Sequence, residues 1–343
     1  MEEIRNRFKH HNQRSNEKNI QFIKSQFFEL NYRFKYSLFS DKLSRMFTFQ
    51  KSDHPHHKLA LITGSTTGIG KETALGLLIE GYDVIITGRD IDKGLRTLTE
   101  LKTNKNVTGT VYFRQLDLCD GNSIKDFLNW FMSFEDFNSK KISRLICNAA
   151  LSNFKKTITK DGFESNFQAN VLGNVVLIQK LLPRMANGSR ILTLSSQVIF
   201  HGSISDNFEL TNRDYEQYSA YANSKLLLMF YSYELNLRLD TYNSDSIKVY
   251  SVHPGAVRTE LMRDAGFFIK RVLPKFMMTP QVGARNSIYV SLKDYLPDEH
   301  YYVCQEPYLM PPEIKDDDLR FEIWNKLHEY ADDLLENIEI KTD

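Results

Sequence analysis

The chain has 343 residues, with 44 Lys and Arg against 43 Asp and Glu, and 41% of its residues are hydrophobic. That apolar content excludes a disordered polymer and allows a sizeable core, and a net charge of +1 excludes a broadly basic nucleic-acid-binding domain. Cys119, Cys147 and Cys304 are odd in number and far apart, so they supply neither a disulfide framework nor a CxxC metal site, which fits a reducing, cytoplasmic setting.

Residues 1–57 form a basic, aromatic extension with eleven Lys or Arg against six Asp or Glu and no glycine. Its start lacks the apolar core of a secretory signal. Within it Ile20, Ile23, Phe27, Phe34 and Leu38 fall near helical spacing with Lys24, Arg33 and Lys35 between them, which predicts a basic amphipathic helix. Such a helix either packs on the body or makes peripheral contact with an intracellular membrane. His54, Pro55, His56 and His57 read as a solvated linker rather than a metal site, since no Cys or acidic ligand accompanies them.

From Lys58 the pattern becomes short apolar strands alternating with amphipathic helices. KLALIT, YDVIITG, GTVYFRQLDL, SRLICNA, SRILTLSS and SIKVYSVHPG predict six strands, with helices near 69–80, 91–103, 121–134, 163–187 and 217–238. This predicts a Rossmann-like, doubly wound α/β domain over 58–305: a parallel sheet with helices on both faces and ligands at the carboxyl ends of the strands. Residues 306–343 carry twelve acidic against four basic residues. There Leu319, Ile323, Leu327, Tyr330 and Leu334 make an apolar stripe, so the segment is expected to be a docked C-terminal helix. The balanced total thus conceals a basic arm, a mildly basic body and an acidic end. No second domain is needed.

The first strand runs into TGSTTGIG, which places Gly64, Gly68 and Gly70 between a strand and a helix. Glycines there let a phosphate approach a helix N-terminus, where amide hydrogens and the dipole attract negative charge. The spacing supplies neither GxGxxG nor the GK[ST] end of an ATP-binding loop. Further on, YANSK puts Tyr221 and Lys225 four residues apart on one helix face. A free phenol is a poor acid or base near neutrality, but a neighbouring ammonium favours the phenolate and lowers its pKa, so the pair is suited to exchanging a proton with a substrate oxygen. A lone YxxxK is common, and a surface pair is its usual meaning.

These motifs together resemble the short-chain dehydrogenase/reductase family. TGSTTGIG is similar to its TGxxxGIG turn, Asp117 and Leu118 to its acidic position after the third strand, and CNAA to its NNAG. Asn170 in NFQANVLGN, LSS ending at Ser196, YANSK and HPGAVRTEL follow in the family's order, from about Lys58 to Val303. The resemblance implies Tyr221 as proton donor and acceptor, Lys225 tuning it and holding the nicotinamide ribose, Ser196 on the same substrate oxygen, and Asn170 holding a water behind Lys225. Ser195 is the competing serine. The cofactor would contact Gly64, Ser65, Thr66, Thr67, Gly68, Ile69, Gly70, Arg89, Asp117, Leu118, Asn148, Ala149, Tyr221, Lys225 and Thr259.

The second strand ends VIITGRD, with Gly88 where an NAD enzyme needs an acid for the ribose 2′-hydroxyl and Arg89 next, so NADP(H) is favoured over NAD(H). Asp90 stands against this assignment. Ala150 replaces the usual glycine of NNAG. The long connection from Ser196 to Tyr221, with TPQVGARNSIYVSL and EHYYVCQ, resembles the retinol dehydrogenase and WW-domain-containing oxidoreductase branch. Between the PG motif and Thr279, residues 262–278 mix apolar and basic side chains, as an ordinary helix over the core or a mouth for a lipophilic substrate. His201 and His253 lack a nucleophile motif and are expected to be structural. The expectation is an oxidoreductase acting on a small lipophilic alcohol or carbonyl compound, with a steroid, prenol or general carbonyl reductase, or a catalytically silent scaffold, as rivals. A homodimer is implied by the resemblance; no metal and no nucleic acid are expected.

Overall fold

The computed structural model describes residues 58–138, 140–153, 155–204, 216–241, 247–258 and 277–336, together with Lys24. The expectations for the rest of 1–57, for Thr259 and for most of the 262–278 segment lie outside the described residues.

Seven parallel strands and one antiparallel strand form a single sheet. They are β1 (Leu59–Ile62), β2 (Asp83–Gly88), β3 (Val111–Gln115), β4 (Ile142–Cys147), β5 (Met185–Leu194), β6 (Ile247–His253), β7 (Tyr301–Val303) and β8 (Glu306–Pro307). Their spatial order is β3-β2-β1-β4-β5-β6-β7-β8, so the chain reverses its direction of winding between β1 and β4. A crevice forms at such a switch point.

Strand alternation divides the core in two. Leu59 and Leu61 of β1 join Leu145, Ile191 and Val249 on one face, under the helices α3 (Gly121–Ser133), α4 (Gly173–Leu181), α5 (Gln217–Thr241) and α7 (Asp317–Glu336). Ala60 and Ile62 join Ile86, Leu192 and Val252 on the other, under α1 (Gly68–Ile79), α2 (Ile91–Lys102) and α6 (Pro280–Leu292). Helix starts follow local chemistry. Asp90 and Asp120 cap α2 and α3 by accepting Lys93 and Asn122 amides, and Thr279 precedes Pro280 at the start of α6.

Three expectations need adjustment. The helix expected over 163–187 stops early because Pro183 breaks it, and Met185 already belongs to β5. Strand β5 ends at Leu194, short of the expected run to Ser196, although the Ser195 amide still donates to the Val252 carbonyl and Ser196 keeps an extended backbone. The strands β7 and β8 were not among the six predicted; a three-residue run gives too little periodicity to be read. The C-terminal stripe does dock: Ile323, Leu327 and Leu334 are buried, while Leu319 and Tyr330 are partly buried against the same core. Among the described residues no helix is long and apolar enough to cross a membrane.

Candidate active site

A cleft of about 1000 Å³ opens at the carboxyl ends of β1, β2, β4, β5 and β6. Of the residues expected to form the site, Gly64, Thr66, Thr67, Gly68, Ile69, Gly70, Arg89, Asp117, Leu118, Asn148, Ala149, Ser196, Tyr221 and Lys225 line it. Ser65 and Asn170 do not; both are buried and act on the walls.

The glycine-rich turn is held from behind. The Ser65 hydroxyl donates to the Ile62 carbonyl (2.7 Å) and accepts from the Thr87 amide (2.9 Å), which ties the turn to β2. Asn148 Nδ2 donates to the Thr63 and Gly64 carbonyls at 2.8 and 3.0 Å, and the Ala149 amide donates to Thr63 Oγ1 at 3.0 Å. Gly70 has no room for a side chain: a Cβ there would sit 2.5 Å from Asn148 Nδ2 and 2.6 Å from the Gly64 carbonyl. The turn therefore presents backbone amides and the start of α1 to the cleft, an arrangement that fits a dinucleotide pyrophosphate.

At the end of β2, a Cβ on Gly88 would fall 2.7 Å from Thr66 Cγ2, so a side chain there would have to displace Thr66. Arg89 is exposed on the rim, and Lys93, which composition alone did not single out, lines the cleft one helical turn further on. Asp90 Oδ1 accepts the Lys93 amide at 2.9 Å, so its carboxylate is engaged as a helix cap. The Asp117 carboxylate likewise accepts the Cys119 amide at 3.0 Å, and the Asp117 amide donates to Ser123 Oγ at 2.9 Å.

Asn170 lies in a π-helical turn, Gln168–Leu172, a distortion that often re-aims side chains at functional sites. Its Oδ1 accepts the Leu151 amide (2.8 Å), and its Nδ2 donates to the Leu151 carbonyl and to Ser224 Oγ (both 2.9 Å). In this geometry its side chain anchors the post-β4 wall to α5. Buried Glu164 holds the preceding turn by accepting the Phe167 amide at 3.0 Å and the Asn166 side chain at 3.0 Å.

Tyr221 and Lys225 project from α5 into the cleft. Burial pushes the Tyr221 phenol up to about 12, opposed by a hydrogen bond with Ser196. Lys225 Nζ donates to the Leu194 carbonyl at 2.7 Å and lies 5.8 Å from the centre of the Tyr221 ring. The expected lowering of the phenol by the ammonium is thus outweighed here, because the charge faces the ring and a carbonyl while desolvation acts on the phenol itself. Burial also pushes Lys225 down, to about 8. Ser195 Oγ is buried without a hydrogen-bond partner among the described residues, so Ser196 is the serine that engages Tyr221. His253 lines the cleft and His201 is exposed against the Tyr218 ring.

Sequence reasoning missed Ser152, Asn153, Val198 and Gln217, which line the cleft together with Met277 of the 262–278 segment. Two of these carried a usable signal: Gln217 is four residues before Tyr221 on the same helix face, and Ser152 closely follows CNAA.

The short chain dehydrogenase family model matches residues 58–266. Retinol dehydrogenase 11 of Mus musculus is 35% identical over 263 residues, covering 72% of this chain and 78% of the mouse protein. Retinol dehydrogenase 13 of Homo sapiens is 31% identical, with 78% and 82% covered, and polyprenol dehydrogenase of Mus musculus is 30% identical, with 68% and 71% covered. Among solved structures, an uncharacterized protein from Mycobacterium paratuberculosis superposes with a TM-score of 0.63 at 27% identity, covering 83% of this chain and 97% of that one. An alcohol dehydrogenase from Thermococcus sibiricus complexed with 5-hydroxy-NADP shares the fold at a TM-score of 0.54 and 20% identity, with 74% and 100% covered. The chain is an oxidoreductase that belongs to the short-chain dehydrogenase family, in its retinol dehydrogenase-like branch.

Proposed function

We propose that the protein interconverts a lipophilic alcohol and its carbonyl compound, with NADP(H) as the preferred cofactor and Tyr221 as the proton donor and acceptor. The observation that carries the proposal is that Tyr221, Lys225 and Ser196 line one cleft with the glycine-rich turn. A nicotinamide dinucleotide bound there supplies or accepts the hydride. The Tyr221 hydroxyl gives its proton to the carbonyl oxygen on reduction and recovers it on oxidation, with the Ser196 hydroxyl holding the same oxygen. The high pKa of Tyr221 keeps it protonated, as a donor must be, and the Lys225 ammonium, once it has a second partner in the cleft, stabilises the phenolate that results. Asn170 fixes the wall beside them through Leu151 and Ser224.

Preference for the 2′-phosphate is supported by the absence of a carboxylate at Gly88, the capping role of Asp90 and the cations Arg89 and Lys93 on the rim. A lipophilic substrate is supported by Leu151, Val198, Val257 and Met277 on the wall and by the retinol and polyprenol dehydrogenases among the relatives. A cytoplasmic location with peripheral membrane contact through residues 1–57 belongs to the same proposal, as does a homodimer.

The test is a panel of retinoids, steroids, prenols and small carbonyls run with both cofactors. Turnover is expected with NADPH, and Tyr221→Phe is expected to lower kcat by about 10²- to 10⁴-fold while NADPH still binds. Bound NADPH with no turnover across the panel, or a Tyr221→Phe enzyme as active as the wild type, would instead support a silent scaffold.

A further inference from the structure

Among the described residues, the cleft wall carries a polar bridge that the proposed reaction does not use. Gln217 Nε2 donates to Ser152 Oγ at 3.1 Å, joining the segment after β4 to the first turn of α5. Both residues line the cleft. The bridge is fixed relative to the reacting groups from both ends. Gln217 stands one helical turn before Tyr221 on the same face, about 6 Å away between Cβ atoms. Ser152 directly follows Leu151, whose amide and carbonyl are held by Asn170 at 2.8 and 2.9 Å, and Asn170 also bonds Ser224, the neighbour of Lys225.

The bridge occupies only part of its hydrogen-bonding capacity. Gln217 Oε1, the second Nε2 hydrogen and the Ser152 hydroxyl hydrogen make no other hydrogen bond among the described residues. The adjacent Asn153 differs: its Nδ2 donates to Ser165 Oγ at 2.8 Å, and its amide donates to Asn166 Oδ1. The same cleft is also lined by the apolar Leu151, Val198 and Met277. A pocket of this kind, apolar with a few placed polar groups, orients its ligand through those groups.

We propose that Gln217 and Ser152 form a recognition subsite for a second polar group on the substrate, a hydroxyl or carbonyl about one helical turn from the reacting carbon. This rests on the oxidoreductase reading above and ranks its substrates: a lipophilic compound with a second oxygen at that distance is preferred to one with a single oxygen. A substrate with a single oxygen would leave the bridge facing hydrocarbon, which the site disfavours because its polar atoms are then unpaired.

The full-length enzyme is assayed with NADPH and a matched rigid pair, 4-(hydroxymethyl)benzaldehyde and 4-ethylbenzaldehyde, which differ only in a hydroxyl replacing a methyl. The expected wild-type kcat/KM favours the hydroxymethyl compound by about 3- to 10-fold, the size of one neutral hydrogen bond, and the preference lies mainly in KM. Gln217→Leu and Ser152→Ala each bring the ratio to about 1. A thermal melt checks that the variants fold, and if Gln217→Leu does not, Ser152→Ala decides. A wild-type ratio near 1, or a ratio unchanged in the variants, overturns the subsite and leaves the oxidoreductase reading intact. A wild type that reduces neither benzaldehyde also overturns it, and the broader reading falls with it only if the substrate panel gives no turnover either.

Discussion

Lys225 allows a prediction in which function and stability oppose each other. The side chain is 2% exposed, and burial pushes its pKa from 10.5 to about 8. The gap corresponds to about 3 kcal/mol of unfavourable burial whenever both states are protonated. Because the folded value lies below the unfolded one, the unfolded chain binds more protons between about pH 8 and 10.5. Stability therefore rises with pH through that window, and the cost is greatest below it. Lys225→Met keeps an unbranched apolar stem in the site and removes the charge. It also removes the donor to the Leu194 carbonyl, which costs about 1–3 kcal/mol. At pH 7 the variant should thus range from equally stable to about 2 kcal/mol more stable than the wild type, although turnover is abolished. The decisive quantity is how the difference changes: by pH 10 the advantage of the variant should shrink by about 2–3 kcal/mol as the wild type recovers. Urea unfolding of both proteins from pH 7 to 10 measures it, and other titrating groups cancel in the difference. A difference that stayed flat over that range would refute the reasoning.

Two further predictions concern the cofactor rim and the C-terminal helix. Arg89→Ala should weaken NADPH binding about 10- to 100-fold, the value of one charge-assisted hydrogen bond, while NADH binding changes by less than about threefold. A fluorescence titration with each cofactor reads this directly, and equal losses for both would remove the 2′-phosphate assignment. Leu327→Ala on α7, at 0% exposure, should cost about 2–5 kcal/mol in urea unfolding. A loss under about 1 kcal/mol would mean that α7 is a loosely attached appendage.

The sheet and the glycine-rich turn were legible in the sequence because both depend on local signals. Near-continuous apolar runs mark strands buried on both faces, and TGSTTGIG places glycines where Gly70 has no space for a Cβ. The YxxxK pair was legible for the same reason, being a spacing within one helix. What could not be read depends on partners distant in the chain. Gly88 was legible as an absent acid, but the approach of Thr66 to it was not. Asn170 was recognised, yet its attachment to Leu151 and Ser224 spans 19 and 54 residues. The Tyr221 pKa was misjudged because spacing gives the distance between two side chains and not which atoms of each face one another or how much water reaches them.

The same distinction explains why the acidic C-terminal segment matters to the site. The first half of α5 carries Tyr221, Ser224 and Lys225, all groups whose burial opposes folding unless they are fully partnered. The second half carries the compensating contacts. Glu234 accepts from Arg238 Nε at 2.8 Å and from Arg320 Nε of α7 at 2.7 Å. Arg238 lies 4.4 Å over the Trp324 ring, and Trp324 stacks on Tyr231 with ring centres 5.0 Å apart. The Glu234 carboxylate is held between two guanidiniums only while α7 is docked, and removal of Arg320 would leave it paired with Arg238 alone. The helix that carries the proton-transfer pair is therefore held in place from its far end by α7, and the C-terminal segment acts on the site through packing without reaching it.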